Sequence, residues 1–395
     1  MPACSNDNET MKNFFLSAAA ALAAAGFCAC ERSHTPEEDP TDSKETTLKA
    51  AVLSYVDHTI VPTYRGMADN AMLLSEACDA IFEAFETGTL TEELVAEAGR
   101  CWNLSRDGWE KSEAFLYGAA ADYNIDPHID SWPLDKQAMD DLLADLRNGK
   151  GWNIGNTGYG LLGFHAVEYM LFRLSEDGNH SRTHGTDYAR EELVYLCGVA
   201  EDLRNQCILL EAAWAGLENI TLEKQEILED AQLEPTIDYG YSMKHAGEGG
   251  SLYKTYQEAA EDLIQGCIDI ADEVGNTKIG RPVLGSSRED KNYIESPYSL
   301  NSIADFTGNI LSIRNAYCGS RTGDASVSSY IRSVHPALDE EVRAQIETAI
   351  GAIGKIPEPF AKSASTNADA AAAVTAVGTD LVNVLEKVMS ELSRN

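Results

Sequence analysis

Hydrophobic positions along the chain recur every three or four residues over long stretches, the spacing that places them on one face of a helix. The pattern predicts a long helix from Thr47 to about Glu86, bent at Pro62, whose ring cannot continue regular helical bonding. A second helix opens at Thr91-Glu92-Glu93, with acidic residues at the favourable end of the helix dipole, and runs to Gly118. Shorter patterns cover about Asp135 to Arg147, Asp187 to Leu217 and Leu222 to Ala231. The run GYSMKHAGEGG, from Gly240 to Gly250, is glycine-rich and lacks hydrophobic period, so it reads as a boundary. Beyond it four more helices are expected, over about Leu252–Val274, Leu300–Cys318, Asp339–Ile353 and Ala368–Leu392. No segment shows convincing strand alternation. The prediction is an all-α protein of two consecutive helical bundles, residues 47–240 and 250–395, with up-down connections and a four-helix second bundle.

One stretch breaks the amphipathic rule. Asn156 to Phe172 reads NTGYGLLGFHAVEYMLF, with Asn156 or Thr157 as the expected N-cap. Leu161, Leu162, Phe164, Val167, Met170, Leu171 and Phe172 leave no solvent face, the mark of a helix enclosed by others. Gly160 and Gly163 would let another backbone approach. Within this helix His165 and Glu168 stand three apart and share a face. Such groups are costly to bury unless paired, hydrogen-bonded or bound to a cation. A plain core ion pair remains one reading. The other is a metal pair, or one ligand and one base; zinc or iron would then need at least one further protein ligand. There is no HExxH, so the usual zinc-protease geometry is absent.

Two further groups carry polar residues where apolar ones would be unremarkable. In IESPYSLNSIADFTGNILSIRN, Ile303, Phe306, Ile310 and Ile313 form a core stripe. Asn301, Asp305, Asn309 and Ser312 form a second stripe, poor in charge for a solvated face, which is expected to turn toward the first bundle. Glu295, Ser296 and Ser299 precede it, and Ser302 with Asp305 fits a capping box. The third group is Glu110, Glu113 and Trp132; Glu113 could point inward or lie on the surface. The loop HIDSWPLD, with Asp130, lies between the second and third helices.

Composition then narrows the partners. The chain has 395 residues, 44% of them hydrophobic, and a formal net charge of −34. That charge excludes nucleic acid and anionic lipid surfaces as partners and favours the approach of cations. Met11-Lys12 followed by FFLSAAAALAAAGFCAC reads as an export signal within residues 1–30. Cys30 is the lipidation candidate and Cys28 the second choice, although the residues before each depart from a good lipoprotein box; a plain secretory signal is the alternative. Residues 31–46 read as a disordered tether. Cys78 and Cys101 could face each other across a helix hairpin, whereas Cys197 and Cys207 lie on one helix, too far apart to pair. No CxxC is present.

Gly163-Phe164-His165-Ala166-Val167-Glu168 resembles the Gly-x-His-x-x-Glu signature of the imelysin-like proteins. The likeness continues in order through VPTY at Tyr64, the Trp109/Glu113/Gly118 region, Trp132-Pro133 and ESPYSLNSIADF from Glu295. The resemblance implies two helical-bundle domains with the site at their interface. It also implies an exported or lipid-anchored protein of the cell envelope, periplasmic or on the outer-membrane face, associated with bacterial iron acquisition. By the same resemblance His165 and Glu168 are the metal pair, Gly163 is the motif glycine, and Tyr64, Glu113, Glu295, Ser299 and Asp305 are neighbours. The implied ligand is iron or another divalent or trivalent metal, free or chelated, and the implied partner an iron-transport system. The family's peptidase label supplies the alternative, a metallopeptidase with Glu168 as general base.

Overall fold

The computed structural model describes residues 40–394. The expected export signal, Cys28, Cys30 and most of the expected tether lie outside the described residues. Helix α1 (Pro40–Tyr55) begins earlier than the pattern suggests and continues through a π-turn (Val56–Ile60) into α2 (Val61–Glu86). The bend expected at Pro62 is handled by that turn. Proline offers no N–H and its ring crowds the carbonyl four residues back; the wider turn before it, closed by Val61 N–H on the Val56 carbonyl, relieves the crowding.

The remaining long helices are α3 (Glu92–Glu110), α4 (Lys136–Arg147), α5 (Gly163–Leu171), α6 (Arg190–Ala215), α7 (Tyr256–Asp272), α8 (Ser302–Cys318), α9 (Pro336–Ile353) and α10 (Val382–Leu392). From Pro40 onward they form one contact unit. Helix α2 packs along α3 and α6, α5 packs on both α3 and α6, and α8 packs on α7 and α9. The N-terminal α1 lies on α7, and α8 reaches across to α3. Two further π-turns, Glu273–Lys278 and Ala376–Leu381, meet backbone to backbone. A Cβ added at Gly275 would lie 2.2 Å from Gly378 Cα. The stretch Ala368–Leu392 has the length and apolarity of a membrane span, but Leu381, Val384, Leu385, Val388 and Leu392 are buried in the hydrophobic core.

Several expectations need correction. Helix α3 stops at Glu110, and the chain reaches Gly118 through a short 3-10 turn, Glu113–Phe115. Helix α5 starts at Gly163, after 3-10 turns, with Leu162 rather than Asn156 or Thr157 at its N-cap. A small antiparallel hairpin, β1 (Phe172–Leu174) paired with β2 (Ser181–Thr183), follows α5; three-residue strands are too short to show alternation. Ser302 and Asp305 form no capping box: Ser302 Oγ donates to the Glu295 carbonyl, and the Asp305 carboxylate accepts from Ser296 and Asn301. All six cysteines of the described residues are free thiols, Cys78 and Cys101 included.

Candidate functional site

The site grows from a close backbone approach. Gly163 has φ of +74°, a conformation L side chains rarely adopt, and a Cβ there would sit 2.0 Å from the Ile129 carbonyl oxygen. Only glycine lets the start of α5 press against the Ile125–Ile129 turn. That contact brings Asp130, the next residue, opposite His165. The Asp130 Oδ1 atom lies 3.3 Å from His165 Nε2, and Glu295 Oε1 lies 3.8 Å from the same nitrogen. Neither contact has the geometry of a hydrogen bond, so His165 Nε2 is buried without a partner. Trp132 covers the imidazole, ring centroids 4.7 Å apart.

Glu168 stands on the other side of the ring. Its Oε2 is 3.2 Å from His165 Nδ1. Its Oε1 accepts from Tyr298 N–H (3.0 Å), Ser299 N–H (2.8 Å) and Ser299 Oγ (2.7 Å). The carboxylate therefore orients the imidazole and anchors the loop that carries Glu295. That loop holds Ser296 at φ +48° and Leu300 at φ +61°, conformations that persist only where surroundings impose them. Glu168→Gln keeps one acceptor but replaces the other with an amide facing the ring. The expected loss is about 1–2 kcal/mol of stability, checked by urea unfolding.

Helix α3 supplies the opposite wall. Arg106 is fully buried beside the Phe164 ring. Its guanidinium contacts Asp130, Glu110 and Glu295 (3.0 Å), and its Nε lies 3.5 Å from Asp305. Trp109 Nε1 donates to Asp130 Oδ2 at 2.7 Å. Lys278, on the Glu273–Lys278 π-turn, places its ammonium 3.1 Å from Glu113, 3.5 Å from Glu295 and 3.9 Å from Glu110. The polar stripe of α8 faces α3: Asn309 Nδ2 donates to Glu110, and Ser312 Oγ accepts from Ala114 N–H. Glu113 points inward, 6% exposed. Tyr64 donates to the Phe115 carbonyl at 3.1 Å and so steadies the turn that bears Glu113.

Charge in this interior is unbalanced. Glu110, Glu113, Asp130, Glu168, Glu295 and Asp305 are gathered around two fixed cations, Arg106 and Lys278, and one imidazole. Burial pushes Glu110 up to about 8 and Glu113 well above the carboxylate range. Burial raises Asp305 to about 6 against the pull of Arg106. For Asp130 and Glu295 burial is outweighed, by Arg106 for the first and by Lys278 for the second, and both are held below their usual range. Burial disfavours the His165 imidazolium, but the nearby carboxylates of Asp130, Glu168 and Glu295 overcome it and raise its pKa well above the ordinary value. The interior thus stores negative charge that protons or an added cation must compensate.

Two groups have ligand atoms within 4.8 Å of one another: Asp130, His165 and Glu295, and Glu110, Glu113 and Asp130. Of the residues expected from the sequence, His165, Glu113, Glu295 and Asp305 meet here; Glu168 and Ser299 form the anchor behind the ring, and Tyr64 acts through Phe115. Arg106, Asp130 and Lys278 were not among them. Arg106 has a signal, since it shares a face with Trp102, Trp109 and Glu110 at helical spacing. Asp130 lies in a loop beside Trp132. Lys278 has no signal in EVGNTKIG, because the π-turn alone aims it inward.

The bundle encloses a histidine among carboxylates drawn from segments far apart in the chain. The Imelysin family model matches residues 60–388. The chain belongs to the imelysin family. Iron-regulated protein A of Synechococcus elongatus is 28% identical over 328 residues, covering 82% of this chain and 80% of that protein. A crystal structure assigned to an iron-regulated protein A precursor from Parabacteroides distasonis is 28% identical, with a TM-score of 0.73, covering 88% of this chain and 96% of that one. An imelysin-like protein from Psychrobacter arcticum shares the fold at 12% identity and a TM-score of 0.56, over 88% of this chain and 93% of that one.

Proposed function

We propose that the chain is an exported, lipid-anchored component of bacterial iron acquisition that binds a metal cation without turning over a substrate. The buried, unpartnered His165 Nε2 carries this reading, because it faces Asp130 and Glu295, the donors a cation would need beside it. Nitrogen with carboxylate oxygens suits iron and similar first-row cations. His165, Asp130 and Glu295 would hold the cation, and Glu110 and Glu113 form a second group of oxygens that shares Asp130. Glu168 would fix the ring by its hydrogen bond to Nδ1, the role such carboxylates take behind metal-bound histidines. On this proposal Glu168, expected from the sequence to be a ligand together with His165, would support that ligand rather than add a second. Cys30 as the anchor and an envelope transport system as the partner belong to the same proposal; the iron-regulated relatives bear on its link to iron.

The geometry does not favour the peptidase alternative. Glu168 Oε1 already accepts three hydrogen bonds, and Oε2 faces the imidazole on the side away from the candidate cation position. Titration with Fe(II), Zn(II) and Cu(II) tests the reading. The wild-type protein is expected to bind one of them stoichiometrically, and Asp130→Asn and Glu295→Gln to bind it about tenfold to 100-fold more weakly. Equal affinity in all three proteins would overturn the assignment. Anomalous diffraction from the loaded protein would place the ion.

A further inference from the structure

Resting on the reading above, we infer that Lys278 is a tethered cation that plugs the route from solvent to His165, and that an entering metal ion must displace it. A surface cleft of about 360 Å³ is lined by Glu113, Glu273, Asp269, Leu116 and Tyr117. Glu113 belongs to both places: one part of it faces the cleft, and its Oε1 lies 3.1 Å from Lys278 Nζ. The same ammonium is 3.5 Å from Glu295, whose Oε1 is 3.8 Å from His165 Nε2. The order from solvent inward is therefore Glu113, Lys278, Glu295, His165.

Two properties suit Lys278 to this position. It is a compact charge on a flexible stem, so it can withdraw where the forked Arg106 cannot. It also ends the π-turn that Glu273 begins, and Glu273 lines the cleft and interacts electrostatically with Lys278. A displaced ammonium would retain a carboxylate partner at the cleft. The turn itself is fixed, because Gly275 rests on Gly378 with no room for a side chain. The inferred displacement is of the lysine side chain. In the cation-free protein Lys278 stands beside Glu113 and Glu295; with a metal ion present the two positive charges would repel across Glu295, which drives the exchange.

Stopped-flow mixing with Co(II) tests this, read by quenching of Trp132, which lies against His165, and of Trp109, which bonds Asp130. Lys278→Met is expected to accelerate association and tighten binding by at least about tenfold, since a like charge has been removed from the site. Lys278→Arg keeps the charge on a bulkier fork and is expected to remain as slow as the wild type or slower. Glu273→Gln, which does not touch the candidate ligands, removes the carboxylate that receives the ammonium and is expected to slow association in the wild type while leaving Lys278→Met unchanged. If Lys278→Met fails to fold, an unchanged rate in Glu273→Gln alone overturns the inference. Equal rates and affinities in wild type and Lys278→Met overturn the plug and leave metal binding standing. Absence of Co(II), Fe(II) and Zn(II) binding in every variant, wild type included, overturns both.

Discussion

His165→Ala is expected to weaken cation binding by on the order of 100-fold or more, equivalent to about 2.8 kcal/mol. The imidazole is the only nitrogen donor in the group formed with Asp130 and Glu295, and its loss leaves carboxylates already engaged by Arg106 and Lys278. Glu168→Ala provides the comparison. Its side chain lies behind the ring, so its removal would loosen the ligand geometry and release the Tyr298–Ser299 backbone without deleting a donor to the ion. The expected order of affinity is wild type, then Glu168→Ala, then His165→Ala, measured by equilibrium dialysis with elemental analysis. Equal binding in all three would remove the site from this helix altogether.

The largest loss of stability is expected for Gly163→Ala. An added methyl would overlap the Ile129 carbonyl at 2.0 Å, and φ of +74° strains any L side chain at that position. Relief requires α5 to retreat from the Ile125–Ile129 turn, which would uncover Phe164 and separate His165 from Asp130. The cost is expected to be on the order of 3–5 kcal/mol in urea unfolding. Gly66→Ala is the control. It lies within α2 with nothing within 4 Å of the added Cβ, so the alanine is expected to stabilise by about 0.5–1 kcal/mol through helix propensity. A Gly163→Ala loss below about 1 kcal/mol would mean that the helix start is free to shift.

The sequence exposes these two residues for different reasons. His165 is visible because it interrupts a helix apolar on every side, and burial of a titratable group there demands compensation. Gly163 is visible as a motif glycine, but its carbonyl neighbour is not, since Ile129 comes close only through the fold. The same limit applies to Glu168. Three of its four polar contacts go to the Tyr298–Ser299 segment, and two of those are backbone N–H groups, which leave no trace in residue type. Asn309 and Ser312 were legible as an inward polar face because a solvated helix would carry more charge there. Lys278 was not, because periodicity counts residues at 3.6 per turn and a π-turn resets that count. The long amphipathic helices follow the pattern closely, whereas the breaks at Glu110 and Leu171 are set by packing and bypass it.

The spread of the donors along the chain has a bearing on how the protein matures. Asp130 and His165 are made long before Lys278 and Glu295, and the anchor between Glu168 and Ser299 closes only when the later segment arrives. A nascent chain released before residue 295 would carry the Arg106 pairs with Glu110 and Asp130 but lack those with Glu295 and Asp305. On the metal-binding proposal, occupancy by a cation would be a property of finished molecules, and free metal added during refolding is expected to act as a trap for the completed state, raising yield and midpoint together by mass action.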